Sequence, residues 1–167
     1  MTRPALFNFD VQKEARAIIV ERSFNAPLDT VWSAWTEPSI LCKWWAPKPY
    51  LCVIADLDFR EGGRWSYYMQ GPEGDRHYCF FDYERVKPKT SFSGRDGFCD
   101  EQGVVNTEMP RMKWESRFSE RDGGTLVRTR IDFDSTEDLE KIVTMGFKEG
   151  FTTGLDQLDE LLAKTKL

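Results

Sequence analysis

The sequence is poor in the residues that most catalytic and metal-binding chemistry requires. Its 167 residues hold a single histidine, His77, and four dispersed cysteines, Cys42, Cys52, Cys79 and Cys99. No CxxC pair is present, so zinc ligation lacks its usual spacing, and inert buried thiols in a reducing cytoplasm are the expectation. A formal charge of −5 and the absence of a basic stripe among aromatics exclude a nucleic-acid binder. No apolar run approaches the roughly 18 residues of a membrane span. The opening MTRPALFNFDVQKEA lacks the apolar core and small-residue cleavage site of a secretory signal. No G-x-S-x-G elbow, H-E-x-x-H pair, Walker loop or G-x-G-x-x-G turn occurs. These absences leave an enzymatic role as the last-ranked reading and call for neither metal nor cofactor.

What the sequence has instead is aromatic surface: 14% aromatic residues, six of them tryptophan. A large core would use them, and so would the walls of a space for a ligand. The stretch LCKWWAP sets Trp44 and Trp45 side by side before Pro47. Neighbours on a strand face opposite ways, and on a helix they diverge by about 100°. One indole can therefore face inward, Trp45 at a cavity mouth, while Trp44 braces a first helix near Val31 and Trp32.

After a polar tail over 1–14, Ala15 to Phe24 reads as a first strand. Pro27 suits the first turn of a helix carrying Val31, Trp32 and Trp35, and Thr36-Glu37-Pro38 restarts the chain as a second short helix. A β meander follows. Val53, Ala55, Leu57 and Phe59 are expected on one face of a strand, and Trp65, Tyr67 and Met69 on one face of the next. His77 to Val86 has an unclean pattern that suggests a bulge. Ser91 to Phe98, the alternation through Met112, Trp114, Ser116 and Phe118, and that through Val127, Thr129, Ile131 and Phe133 complete it. Trp65, Tyr67, Met69, Trp114 and Val127 should share the concave side, with Arg64 and Arg128 outside.

Ser135 with Asp138 has the form of a capping box. Leu139, Ile142, Phe147, Phe151, Leu155 and Leu158 extend from it at helical spacing. A single helix of about 28 residues would span roughly 40 Å. Gly146, Gly150 and Gly154 lie along it, four apart. Either they let its backbone approach the sheet closely, or their missing side chains leave a hollow; a break near Gly146 is the third possibility. His77, just after a turn, reads as a surface residue. Asp58 and Arg60 read as an ion pair that orients a hairpin.

Three motifs in order carry a family resemblance: an opening of Asn25-Ala26-Pro27 with Val31-Trp32, then Trp35-Thr36-Glu37-Pro38 and Trp44-Trp45-Ala46-Pro47; the hairpin Asp58-Phe59-Arg60-Glu61-Gly62-Gly63-Arg64-Trp65; and Met145-Gly146-Phe147 through Gly150-Phe151. Phe98-Cys99-Asp100-Glu101-Gln102-Gly103 adds a turn of F-x-D-x-x-G form. The chain resembles the domains related to the ATPase activator of the ninety-kilodalton heat-shock chaperone, within the START-like, birch-pollen-allergen-like superfamily. The resemblance covers about Ala15 to Leu162 and implies a single domain over 15–164. The implied architecture is an α+β helix-grip fold: a curved antiparallel sheet of six to seven strands around a long C-terminal helix, with two short helices after the first strand. A deep cavity between sheet and helix comes with it. The candidate lining is Trp35, Trp45, Phe59, Trp65, Tyr67, Met69, Phe81, Tyr83, Trp114, Phe118, Gly150 and Phe151.

The fold hosts carriers, enzymes and chaperone regulators alike, so membership does not fix function. The chaperone-activating members carry an additional N-terminal domain that this sequence does not show. Binding of a small hydrophobic molecule therefore ranks first, a chaperone-related interaction second, and a cyclase- or hydrolase-like enzyme on an apolar substrate third. A small apolar molecule is the expected partner and a chaperone the alternative, with monomer and homodimer both open.

Overall fold

Alternating apolar and polar residues translate directly into a sheet. The computed structural model describes residues 5–164. Among them, eight strands form one antiparallel sheet: β1 (Phe7–Gln12), β2 (Ala17–Phe24), β3 (Leu51–Leu57), β4 (Arg64–Gln70), β5 (Arg76–Lys87), β6 (Ser91–Cys99), β7 (Lys113–Arg121) and β8 (Gly124–Asp132). Their spatial order is β1-β2-β8-β7-β6-β5-β4-β3. The second strand thus pairs with the last, with β1 at its outer edge, and the meander runs from β8 to β3 on the other side. The fold is helix-grip.

The strand beyond the expected number is β1. Its residues are half polar, which reads as a tail, yet Phe9 and Val11 pack against the core and β1 pairs with β2 from Phe7↔Arg22 to Gln12↔Ala17. Trp65, Tyr67, Trp114 and Val127 are buried on the concave side, with Met69 packed against the same core. Arg64 turns outward and pairs with Asp82 at 2.6 Å.

β3 departs from its expected register. A bulge between Ile54 and Asp56 changes the phase of the strand. Cys52 and Ile54, rather than Val53 and Ala55, pack against the core, and Val53 is exposed. Only beyond the extra residue do Leu57 and Phe59 turn inward as alternation predicts. The irregular pairing expected in β5 lies between Tyr83 and Arg85.

Helix α1 (Leu28–Thr36) starts after Pro27 and buries Val31, Trp32, Ala34 and Trp35. Glu37 is extended, as the residue before a proline prefers, so α1 stops there and Pro38 opens α2 (Pro38–Leu41). The chain then turns through Trp44 and Trp45 toward β3, and that turn packs against the C-terminal helix.

That helix is two helices. α3 (Thr136–Thr144) is capped by Ser135, whose side chain accepts from the Asp138 N–H at 3.1 Å. Gly146 ends it with φ of +93°, a conformation that side chains with a Cβ rarely adopt. The chain restarts as α4 (Phe147–Lys164). Gly146 is therefore a terminator, and the expected single 28-residue helix is corrected to one of nine residues and one of eighteen. No helix among the described residues is long and apolar enough to cross a membrane.

Candidate functional site

The break at Gly146 lets α4 lie over the concave face with its N-terminal turns raised above the sheet centre. Phe147 and Phe151 stack on each other at 5.5 Å and meet the Trp114 ring at 5.9 and 5.6 Å. Below them is a hollow of about 290 Å³. Trp65, Tyr67 and Met69 of β4, Phe81 and Tyr83 of β5, and Trp114 of β7 form its floor. Gly150 and Phe151 form its roof, and Trp35 and Trp45 close one end. At the rim stand Pro47, Tyr50 and His77.

Two residues assigned to the lining belong elsewhere. Phe118 packs on Trp32 at 5.0 Å and on Trp35 at 5.8 Å, and Phe59 packs on Trp32 at 5.7 Å and Tyr83 at 4.9 Å. Together they fill the space under α1 as an aromatic plug behind the wall. Strand parity turns both inward, but α1 covers that end of the sheet.

The paired tryptophans divide their roles. Trp44 is fully buried, and its indole N–H donates to the Ala34 carbonyl at 2.8 Å while its ring meets Trp35 at 4.8 Å. It braces α1 one turn beyond the expected Val31 and Trp32. Trp45 points the other way, into the hollow, within 5.2 Å of Trp65, 6.0 Å of Trp114 and 6.1 Å of Phe151. Its N–H donates to the Tyr67 hydroxyl at 3.1 Å. Gln157 of α4 fixes the loop, donating to the carbonyls of Trp44 and Ala46 at 2.9 Å each and accepting from the Lys48 N–H at 2.8 Å.

The helix glycines also differ from one another. A Cβ on Gly154 would stand 3.3 and 3.4 Å from the carbonyl oxygens of Trp44 and Trp45, so this glycine permits close packing. One on Gly150 would meet only Pro47, at 3.8 Å. The two glycines thus differ: position 154 is in close contact with the loop, and position 150 has van der Waals room beside Pro47.

One carboxylate interrupts the apolar wall. Asp96 of β6 lines the hollow, accepting from the Met112 N–H at 2.7 Å and from the Trp114 indole N–H at 3.0 Å. Burial pushes its pKa up from 3.8 to about 6, against the pull of those two donors and of Arg111 and Arg95. Burial also holds the Tyr67 hydroxyl well above its usual value and pushes the Cys79 thiol up to about 12, so both stay neutral near pH 7. The lining thus offers no thiolate. His77 sits at the exposed rim, its Nε2 2.9 Å from Asp75 Oδ2. Among the described residues no group of three or more His, Cys, Asp or Glu side chains is placed to hold a metal ion.

Asp96 has a consequence for stability. Its pKa is raised in the folded state, so between about pH 4 and 6 the native protein holds more proton than the unfolded chain. Its contribution is fully present below the unfolded value and is lost as pH rises through about 6. The difference in urea midpoint between wild type and Asp96→Asn should therefore change across this window by the equivalent of about 1–3 kcal/mol. Wild type should lose ground as pH rises. A difference that is flat with pH would show that the carboxyl titrates normally.

Comparison with known proteins places this architecture. The sequence model described as "Activator of Hsp90 ATPase homolog 1-like protein" matches residues 25–163. The chain belongs to this family. A crystal structure of a protein from Mycobacterium smegmatis is similar at 31% identity and a TM-score of 0.88, covering 98% of this chain and 100% of that one. A solution structure from Arthrobacter aurescens matches at 26% identity and a TM-score of 0.89, covering 95% and 92%. Another from Staphylococcus epidermidis matches at 27% and 0.82, covering 92% and 93%. No curated protein matches the chain.

The short motifs that carry the family resemblance are mostly structural here. Asp58 and Arg60 pair at 2.7 Å on the surface, beside a turn whose Gly62 N–H donates to the Tyr83 carbonyl. Asp100 accepts from the N–H groups of Gln102 and Val104, both at 2.9 Å, and so shapes its own loop. The sequence reading missed Asp96 and Gln157. The signal for Asp96 was available: Phe92, Gly94, Asp96 and Phe98 alternate, which puts a carboxylate at an inward position. Gln157 gave no signal, because an amide on a helix surface is ordinary.

Proposed function

We propose that this family member binds a small, mostly hydrophobic molecule between its sheet and α4. One observation carries the reading: a hollow of about 290 Å³ remains beneath Gly150, walled by indole and phenyl rings. Close packing is the rule in protein interiors, and an apolar cleft of this size leaves its ring walls against water unless something fills it. The volume sits near the lower end for small-molecule sites, which suits a two-ring compound. The four free cysteines fit a reducing, cytoplasmic setting. The family's description favours a second reading, a chaperone-related interaction. Such an interaction would survive changes at Gly150, whereas ligand binding would not.

Crystals soaked in 2-bromonaphthalene test the first reading. The anomalous signal of bromine should fall between Trp45, Trp65 and Phe151. Signal confined to the outer surface would remove the hollow from consideration as a binding site.

A further inference from the structure

The cavity's polar groups are few, and they define what the occupant must carry. Asp96 stands on the inward face of β6 between Phe92 and Phe98, a position where alternation calls for an apolar side chain. An ionised carboxylate offers about four acceptor sites, and the donors from Met112 and Trp114 take two. Burying a carboxylate with acceptor capacity left over costs stability, and a ligand donor would recover that cost.

We propose that the occupant is a neutral apolar molecule bearing a hydroxyl group that donates to Asp96. This rests on the reading of the hollow as a ligand site and adds the ligand's chemical class. An ammonium group could also donate to Asp96, but the surroundings count against it. The walls are almost wholly apolar and Asp96 is the one carboxylate that lines them. A buried ammonium would have to offset the desolvation of both ions through that single pair, whereas a hydroxyl brings no charge out of water.

Calorimetric titration with naphthalene, 2-naphthol and the 2-naphthylmethylammonium ion near neutral pH tests the assignment. Wild type should bind 2-naphthol about tenfold or more tighter than naphthalene, and the ammonium ion weakest. Asp96→Asn should lose the preference for 2-naphthol over naphthalene. Equal affinity of wild type for naphthalene and 2-naphthol would overturn the proposal while leaving the cavity reading intact. So would tightest binding of the ammonium ion, or a preference that survives in Asp96→Asn. Failure of all three to bind would overturn both. Trp114→Phe keeps the test sound should Asp96→Asn not fold. It frees a further acceptor site, so preference for 2-naphthol should persist or grow, and its disappearance would overturn the proposal.

Discussion

Replacing Trp44 by alanine should lower the melting temperature by about 6–20 °C. Truncating a buried tryptophan costs about 3–5 kcal/mol, and each kcal/mol moves the midpoint of a domain this size by about 2–4 °C. Trp44 meets every condition for the upper part of that range. It is fully buried, its ring packs edge-on against Trp35 and Trp45, and its N–H satisfies the Ala34 carbonyl near the end of α1. Truncation strands that carbonyl and opens a void beneath the turn that Gln157 holds. Trp45→Ala should behave differently. One flank of its ring already borders the hollow, so less packing is lost and the hollow simply grows. Its melting loss should be clearly smaller, with affinity for an apolar probe falling as the wall recedes. Matching melting losses in the two variants, with probe affinity untouched in Trp45→Ala, would reverse the roles assigned to the pair.

That division of roles could be anticipated from adjacency alone, since neighbouring residues cannot share a face. Its details could not. Which turn of α1 receives Trp44 depends on the angle at Glu37–Pro38 and on Gln157 gripping the loop from more than a hundred residues away. Strand periodicity likewise revealed the inward faces of β4, β7 and β8, where no irregularity intervenes. It failed in β3, because a bulge at Ala55 shifts the phase without marking the composition. β1 was hidden for a related reason: an edge strand half facing solvent looks like a polar tail until its partner is known. Parity also could not separate cavity wall from plug. Phe118 and Trp114 lie on the same face of β7, and only the placement of α1 over one and α4 over the other decides their duties. Asp96 was legible in principle, as a charge breaking an apolar alternation.

The helix glycines offer the sharpest test that the space beneath α4 is for a ligand. A leucine at position 154 would press on the carbonyls of Trp44 and Trp45 and should cost about 1–3 kcal/mol by overpacking. At position 150 the new side chain meets only Pro47 at van der Waals distance and extends into the hollow. It also gains helix propensity of somewhat under about 1 kcal/mol. The measurement is calorimetric titration of naphthalene into Gly150→Leu beside wild type, with the melting temperature of each recorded. The account predicts a melting temperature equal to or above wild type and an affinity reduced about tenfold or more, because the leucine occupies the ligand's volume. A melting temperature several degrees below wild type, or unchanged affinity in a well-folded variant, would contradict it.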